Sequence, residues 1–292
     1  GMLQARAVLG HEVAGVVVGG DPDRAGPADG SRVAVLPARR CGACPACASG
    51  RDNLCALQLT TSVGMGGRDG GWAELMAVPA EACHLLPTGV DPAAGALVEP
   101  YAVALHAVAR SRVAAGTAPA VAVLGAGSVG LMTVAALRRA GVEGIAVAEP
   151  RPRRAAAAAR LGAQVVEAAT RTSAALGRPP DLVFDATGAP TAPGTAVELA
   201  APGGQVVLLG VTGPGEQVPL PGLLWLVKEV DVVPSIAYTT AEFRAAVAAV
   251  ADGAVEAIAG LADTRPLVGA PAAIRELERA GGPVKVLLAP AP

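Results

Sequence analysis

Four of the five cysteines stand in one short stretch, C-G-A-C-P-A-C-A-S-G-R-D-N-L-C, at positions 41–55. The spacing C-x2-C-x2-C-x7-C puts Cys41, Cys44, Cys47 and Cys55 where one ion can reach all four sulfurs. Thiolates this close repel one another unless a soft cation holds them, and four sulfurs suit tetrahedral zinc. Gly42, Pro45 and Gly50 let the backbone fold tightly around such an ion. An iron–sulfur run also opens with C-x2-C-x2-C, but it closes with x3-C-P; here the last gap is seven and Ala56 follows Cys55. A closed four-cysteine set leaves no coordination position open, so the expected zinc is structural and pins a loop. Cys83, in E-A-C-H-L-L-P, stands apart and reads as a small buried side chain.

A second constellation binds rather than ligates. Residues 120–130 read A-V-A-V-L-G-A-G-S-V-G, an apolar run leading into Gly125, Gly127 and Gly130. The next residues, L-M-T-V-A-A-L-R-R-A-G, have helical spacing and end at Gly141, a helix C-cap. A following strand, I-A-V-A (145–148), ends at Glu149, 24 positions after Gly125. A lone G-x-G-x-x-G is weak evidence. With a strand before it, a helix after it and an acid at this distance, it predicts a dinucleotide site. Gly125 makes the turn, Gly127 lets backbone approach the pyrophosphate, and Gly130 packs helix on sheet, so that the helix N-terminus faces the phosphates. Ser128 and Val129 complete the loop. Thr187 and Val211, at the ends of D-L-V-F-D-A-T-G and G-G-Q-V-V-L-L-G-V, join the cofactor site. Glu149 is expected to accept hydrogen bonds from ribose hydroxyls and to repel a 2′-phosphate, favouring NAD over NADP. Arg151, Arg153 and Arg154 pull the other way, and Arg154 is the one that would meet a 2′-phosphate.

These residues need a framework that sets apolar strands beside helices. The pattern continues with A-A-A-A-A-R-L-G-A (155–163), D-L-V-F-D (181–185), G-G-Q-V-V-L-L-G-V (203–211) and V-D-V-V-P-S-I-A (230–237). Strand alternating with helix means an α/β fold with a doubly wound parallel sheet. The chain has 292 residues, 52% hydrophobic and 16% charged, enough for one large or two modest cores. Aromatics are only 2%, so Ala, Val and Leu must fill those cores. The net charge of −2 and the lack of a basic stripe exclude a nucleic-acid partner, and no apolar run is long enough for a membrane span. Gly1 ahead of Met2 looks like a tag scar, and no leader is evident. One cysteine cluster and one isolated cysteine fit a reducing, cytoplasmic setting better than a disulfide framework.

Taken together, a four-cysteine lobe upstream of a Rossmann unit, preceded by G-H-E (10–12) and linked by V-E-P (98–100), resembles the zinc-dependent medium-chain alcohol dehydrogenases. The stretches L-V-E-P-Y-A-V-A-L-H-A-V and S-I-A-Y-T-T-A-E-F-R-A-A-V-A-A-V-A-D-G-A-V look most like the sorbitol, threonine and butanediol dehydrogenase branch. The resemblance implies a GroES-like, β-rich catalytic domain over 1–101, a Rossmann domain over 102–237, and a segment over 238–292 returning to the catalytic domain. It implies that His11, Glu12 and Glu99 hold a catalytic zinc, and that His84 and His106 are structural. In this family a cysteine ligand and a Ser or Thr precede G-H-E by a few dozen residues, whereas the ten residues before His11 contain none of these. A shortened catalytic domain is therefore expected, with partial or empty occupancy of the catalytic site. Two functions stay open: NAD-dependent oxidation of a small secondary alcohol or polyol, and a catalytically silent, NAD-binding structural or regulatory role. A homodimer or homotetramer follows by analogy alone.

Overall fold

Three short strands make the first sheet of the molecule. In the computed structural model, residues 7–20, 26–65, 67–113, 118–277, 279 and 281–290 are described. Strands β1 (Ala14–Val16), β2 (Arg32–Val35) and β3 (Cys83–Leu85) form an antiparallel sheet in that order, with Ala14 opposite Ala34 and Val33 opposite Leu85. Between β2 and β3 lie helices α1 (Pro45–Ala48) and α2 (Gln58–Thr61). Helix α3 (Pro92–Ala96) starts with Asp91 capping Ala93 N at 2.7 Å, and α4 (Val98–Arg110) follows almost at once.

The second sheet is built from runs of three or four largely apolar residues, and its central strands β4, β5 and β7 are buried along their whole length, as a sheet covered on both faces requires. They are β4 (Val121–Leu124), β5 (Ile145–Ala148), β6 (Gln164–Val166), β7 (Leu182–Asp185), β8 (Gln205–Leu208) and β9 (Asp231–Pro234). All pair in parallel, in the order β6-β5-β4-β7-β8-β9. The order reverses between β4 and β7, which creates the switch point at whose carboxyl ends ligands bind in doubly wound sheets. Helices α5 (Ser128–Arg139), α6 (Pro152–Arg160), α7 (Thr172–Leu176), α8 (Ala192–Leu199) and α9 (Gly222–Lys228) make the connections. Helix α6 begins three residues before the alanine run, because Pro152 has the fixed φ of a first helical position and its missing N–H costs nothing there.

The chain then continues through α10 (Thr240–Ala251), α11 (Glu256–Ala259), β10 (Ala262–Pro266), α12 (Ala270–Leu277) and β11 (Lys285–Ala289), with β10 pairing β11. Contacts divide the molecule into two units. One holds the residues up to Ala102, Ala237–Arg275 and the residues from Val286; the other holds Val103–Ile236 and Glu276–Lys285. No helix among the described residues is long and apolar enough to cross a membrane.

With so few rings available, the first unit concentrates three of them. Phe243, fully buried on α10, stacks on Tyr238 at 5.6 Å between centroids and meets His84 edge-on at 5.0 Å. His84 thus serves packing, and burial together with nearby Arg244 lowers its pKa. Truncating Phe243 leaves a cavity beneath two rings. Phe243→Ala is expected to cost about 3–5 kcal/mol, measured by denaturant unfolding.

Candidate functional site

The lobe over 41–55 is wound by short local bonds. Pro45 opens α1, Ala48 N donates to Cys44 O at 2.9 Å, Arg51 N to Ala46 O at 2.8 Å, and Cys55 N to Asp52 O at 3.1 Å. These turns bring one ligand atom from each of Cys41, Cys44, Cys47 and Cys55 within 4.8 Å of one another. Cys41 Sγ and Cys47 Sγ are 3.8 Å apart. Zinc–sulfur bonds of about 2.3 Å give a tetrahedron with an edge of about 3.8 Å, so the set fits zinc. The thiols are also electrically unlike. A backbone hydrogen bond from Ala43, with help from Cys44, brings Cys41 down to about 6, whereas desolvation pushes Cys47 up to about 12. Backbone hydrogen bonding at Cys47 lowers Cys44. Cys83 is half-buried rather than buried, because its strand β3 lies at the end of its sheet; desolvation still raises its pKa.

The second donor set comes from two distant segments. His11 and Glu12 sit just ahead of β1, and Glu99 is in the first turn of α4. Their ligand atoms lie within 4.8 Å of one another, and Glu99 is 8% exposed. Tetrahedral ligands about 2.1 Å from one ion stand about 3.4 Å apart, so the three groups would draw closer together to close on a metal. Imidazole and carboxylates are suitable zinc donors, and three of them leave a position open. The backbone before His11 is clamped: Gly70 N, Trp72 N and Gly71 N donate to Val8 O, Leu9 O and Gly10 O at 2.8, 2.9 and 2.8 Å. Gly64, at φ +67°, passes so close to Gly10 that a Cβ there would collide with the Gly10 carbonyl. The first turn of α4 holds Glu99 where the helix field favours a carboxylate.

One partner of Glu99 escapes a motif search. Tyr238, 2% exposed, donates from its hydroxyl to Glu99 Oε1 at 2.8 Å. Burial, and then the Glu99 charge, hold the phenol well above its usual pKa, so it is a donor. Tyr238 lies 139 positions from Glu99, and only its place in the S-I-A-Y-T-T stretch hinted at a role.

In the other unit, the glycine loop leaves the carboxyl end of β4 at the switch point. Gly125 has φ +86°, Gly127 caps α5, and a Cβ on Gly130 would strike the Gly125 carbonyl. Around Gly127 the nearest atom to such a Cβ is Arg154 Nη1 at 3.9 Å, so no backbone crowds the loop there. Ser128 and Val129 form the first turn of α5, whose N-terminus offers the amides a phosphate needs. Thr187 follows β7 and donates from N and Oγ1 to buried Asp185 at 3.0 and 2.8 Å; desolvation raises the pKa of Asp185. Val211 follows β8 and is 75% exposed. Glu149 differs from the expectation of a freely presented ribose acceptor. It is 5% exposed, and its oxygens accept from Ala126 N at 2.8 Å and Arg151 N at 2.9 Å. It braces the glycine loop against the start of α6.

The chain resembles known dehydrogenases in sequence and in fold. Residues 1–88 match the alcohol dehydrogenase GroES-like domain family, and residues 128–252 match the zinc-binding dehydrogenase family. The L-galactonate-5-dehydrogenase of Escherichia coli is 38% identical over 212 residues, a match spanning 70% of this chain and 60% of that enzyme. The sorbitol dehydrogenase of Bombyx mori is 30% identical over 291 residues, spanning 96% of this chain and 81% of the relative. A Sinorhizobium meliloti protein solved with NADP bound superposes with a TM-score of 0.88 at 33% identity, covering 99% of this chain and 85% of that one.

The thiol set generates a direct expectation. Cys47→Ser is expected to lower the zinc content of the purified protein by about one equivalent per chain, measured by elemental analysis. It should also lower the unfolding temperature, because binding at such a site is folding free energy.

Proposed function

The chain belongs to the zinc-dependent medium-chain alcohol dehydrogenase family, and from that premise we propose that it oxidises a secondary alcohol or polyol with NAD as the hydride acceptor. The observation that carries the proposal is the convergence of His11, Glu12 and Glu99, whose donor atoms lie within 4.8 Å. Oxidation of a secondary alcohol removes a hydride from carbon and a proton from oxygen; a bound zinc would polarise the alcohol oxygen, the oxidised nicotinamide would take the hydride, and the proton would pass to solvent. The remaining work is done by the chain itself. His11 presents a neutral nitrogen to the metal, and Glu12 and Glu99 present carboxylates whose charge offsets that of the ion. Tyr238 holds Glu99 in place, and Cys41, Cys44, Cys47 and Cys55 hold a second, structural zinc. Gly125, Gly127, Ser128, Val129 and Gly130 seat the pyrophosphate, with Thr187 and Val211 beside the bound dinucleotide.

NAD is favoured over NADP in this reading because the Glu149 carboxylate at the end of β5, although its oxygens accept from Ala126 N and Arg151 N, would still repel a nearby 2′-phosphate. The polyol class is supported by the sugar-acid and sorbitol relatives. Four thiols held for a metal suit a reducing compartment such as the cytoplasm. Assays of NADH formation over a panel of diols, polyols and sugar acids test the reading. The expected outcome is turnover with a higher kcat/KM for NAD than for NADP, and loss of at least about 100-fold in Glu99→Ala; full activity in that variant would refute the site.

The chain is also proposed to form a homodimer through β9. This strand ends the parallel sheet, so its outer edge can pair with the same edge of a second copy across a two-fold axis. The preceding helix α9 presents Leu223, Leu226 and Val227 at 78%, 74% and 70% exposure, an apolar face that a second copy would cover. Light scattering is expected to give twice the chain mass, and Leu226→Asp to shift it toward the monomer.

A further inference from the structure

The hydroxyl that holds Glu99 is itself held from the four-cysteine lobe. Ala237, just before Tyr238, has φ +52°, a left-handed conformation that costs a residue with a Cβ on the order of 1–2 kcal/mol. Such a conformation persists only where its surroundings impose it. Two residues of the lobe grip the backbone on its far side. Arg40, adjacent to Cys41, donates from Nη2 to the Tyr238 carbonyl at 3.0 Å. Asp52, three positions before Cys55, accepts from Thr240 N at 3.1 Å and from Thr240 Oγ1 at 2.5 Å. Arg40 Nε and Asp52 Oδ2 also face each other at 3.9 Å, with side chains only 10% and 18% exposed.

The next turn locks the same segment. Thr239 and Glu242 form a reciprocal capping box, Thr239 N donating to Glu242 Oε2 at 2.7 Å and Glu242 N to Thr239 Oγ1 at 3.2 Å. The backbone from Tyr238 to Glu242 is therefore fixed, and the Tyr238 ring is stacked on Phe243. An unbroken series of contacts runs from the lobe through Arg40 and Asp52 to residues 238–240, and through the Tyr238 hydroxyl to Glu99.

We propose that Tyr238 is a positioning residue for the catalytic metal, and that the four-cysteine lobe, through Arg40 and Asp52, sets the hydroxyl that aims Glu99. The lobe metal is then a distant determinant of catalytic-metal affinity as well as a staple for its own loop. The inference rests on reading His11, Glu12 and Glu99 as a zinc site. Its physical basis is general: a hydrogen bond to a ligating carboxylate fixes its rotation, and loss of such a partner typically costs 10–100-fold in metal affinity.

Cobalt(II) distinguishes the two sites, because a four-thiolate site gives an intense sulfur charge-transfer band and a nitrogen–oxygen site gives only weak visible bands. The full chain, Tyr238→Phe and Asp52→Asn are titrated with cobalt against a competing chelator. Tyr238→Phe is expected to keep the charge-transfer band and its affinity, while the second equivalent binds about 10–100-fold more weakly with altered visible bands. Asp52→Asn, which leaves every ring in place and so serves if Tyr238→Phe fails to fold, is expected to shift the second site in the same direction by less. Unchanged affinity and bands at the second site in both variants would overturn the coupling. Unmodified protein that takes up only the thiolate-bound cobalt would overturn the metal-site reading itself, and that result is visible before any variant is compared.

Discussion

Two carboxylates and an imidazole, with ligand atoms within 4.8 Å of one another and Glu99 almost fully buried, crowd negative charge into a space that a cation would relieve. At an effective dielectric of about 20, two unit charges at that separation repel by about 3 kcal/mol, before any cost of burying Glu99. The surrounding structure carries that load in several small ways. Glu99 sits in the first turn of α4, and a phenol donates to it at 2.8 Å. The strand start bearing His11 and Glu12 is fastened by amides from residues 70–72. Each device fixes a donor atom, and together they hold three groups that could ligate a metal ion.

The four-cysteine lobe poses the same problem with sulfur. Local hydrogen bonds favour the thiolate of Cys41, and desolvation disfavours that of Cys47, so proton placement alone leaves the set unevenly charged. A soft cation at the centre meets all four at once. The dinucleotide loop follows a different logic. It relies on backbone amides at a helix start and on missing side chains, and its one buried acid, Glu149, is occupied in holding the loop itself. Charge is concentrated at the metal sites, and shape at the cofactor site.

The two metal sets also differ in how they are built. The thiols lie within fifteen positions of one another and assemble by local turns. The His11, Glu12 and Glu99 set joins segments some ninety positions apart, so it exists only once β1, the 64–72 segment and the start of α4 have packed. This makes the second set dependent on its neighbours, and the bonds from Arg40 and Asp52 to residues 238–240 show one form that dependence takes.

Much of this was legible in the residues alone. The cysteine spacing pointed to four sulfurs gathered in one place because these residues are neighbours in sequence, and local geometry is what spacing encodes. The run A-V-A-V-L-G-A-G-S-V-G specified a strand, a left-handed turn and a helix start for the same reason. The parallel, doubly wound sheet followed from the alternation of apolar runs and helices, while its strand order and switch point came only with the folded structure. Tertiary packing decided the rest. Nothing in a spacing could show that Glu149 would spend its oxygens on backbone amides, or that Cys83 would stay half-exposed at the end of its sheet. Nor could any pattern pair Tyr238 with Glu99 across 139 positions. Such partners are chosen by the three-dimensional closure of a buried charge: once packing has removed water from a carboxylate, whichever donor stands within reach must satisfy it.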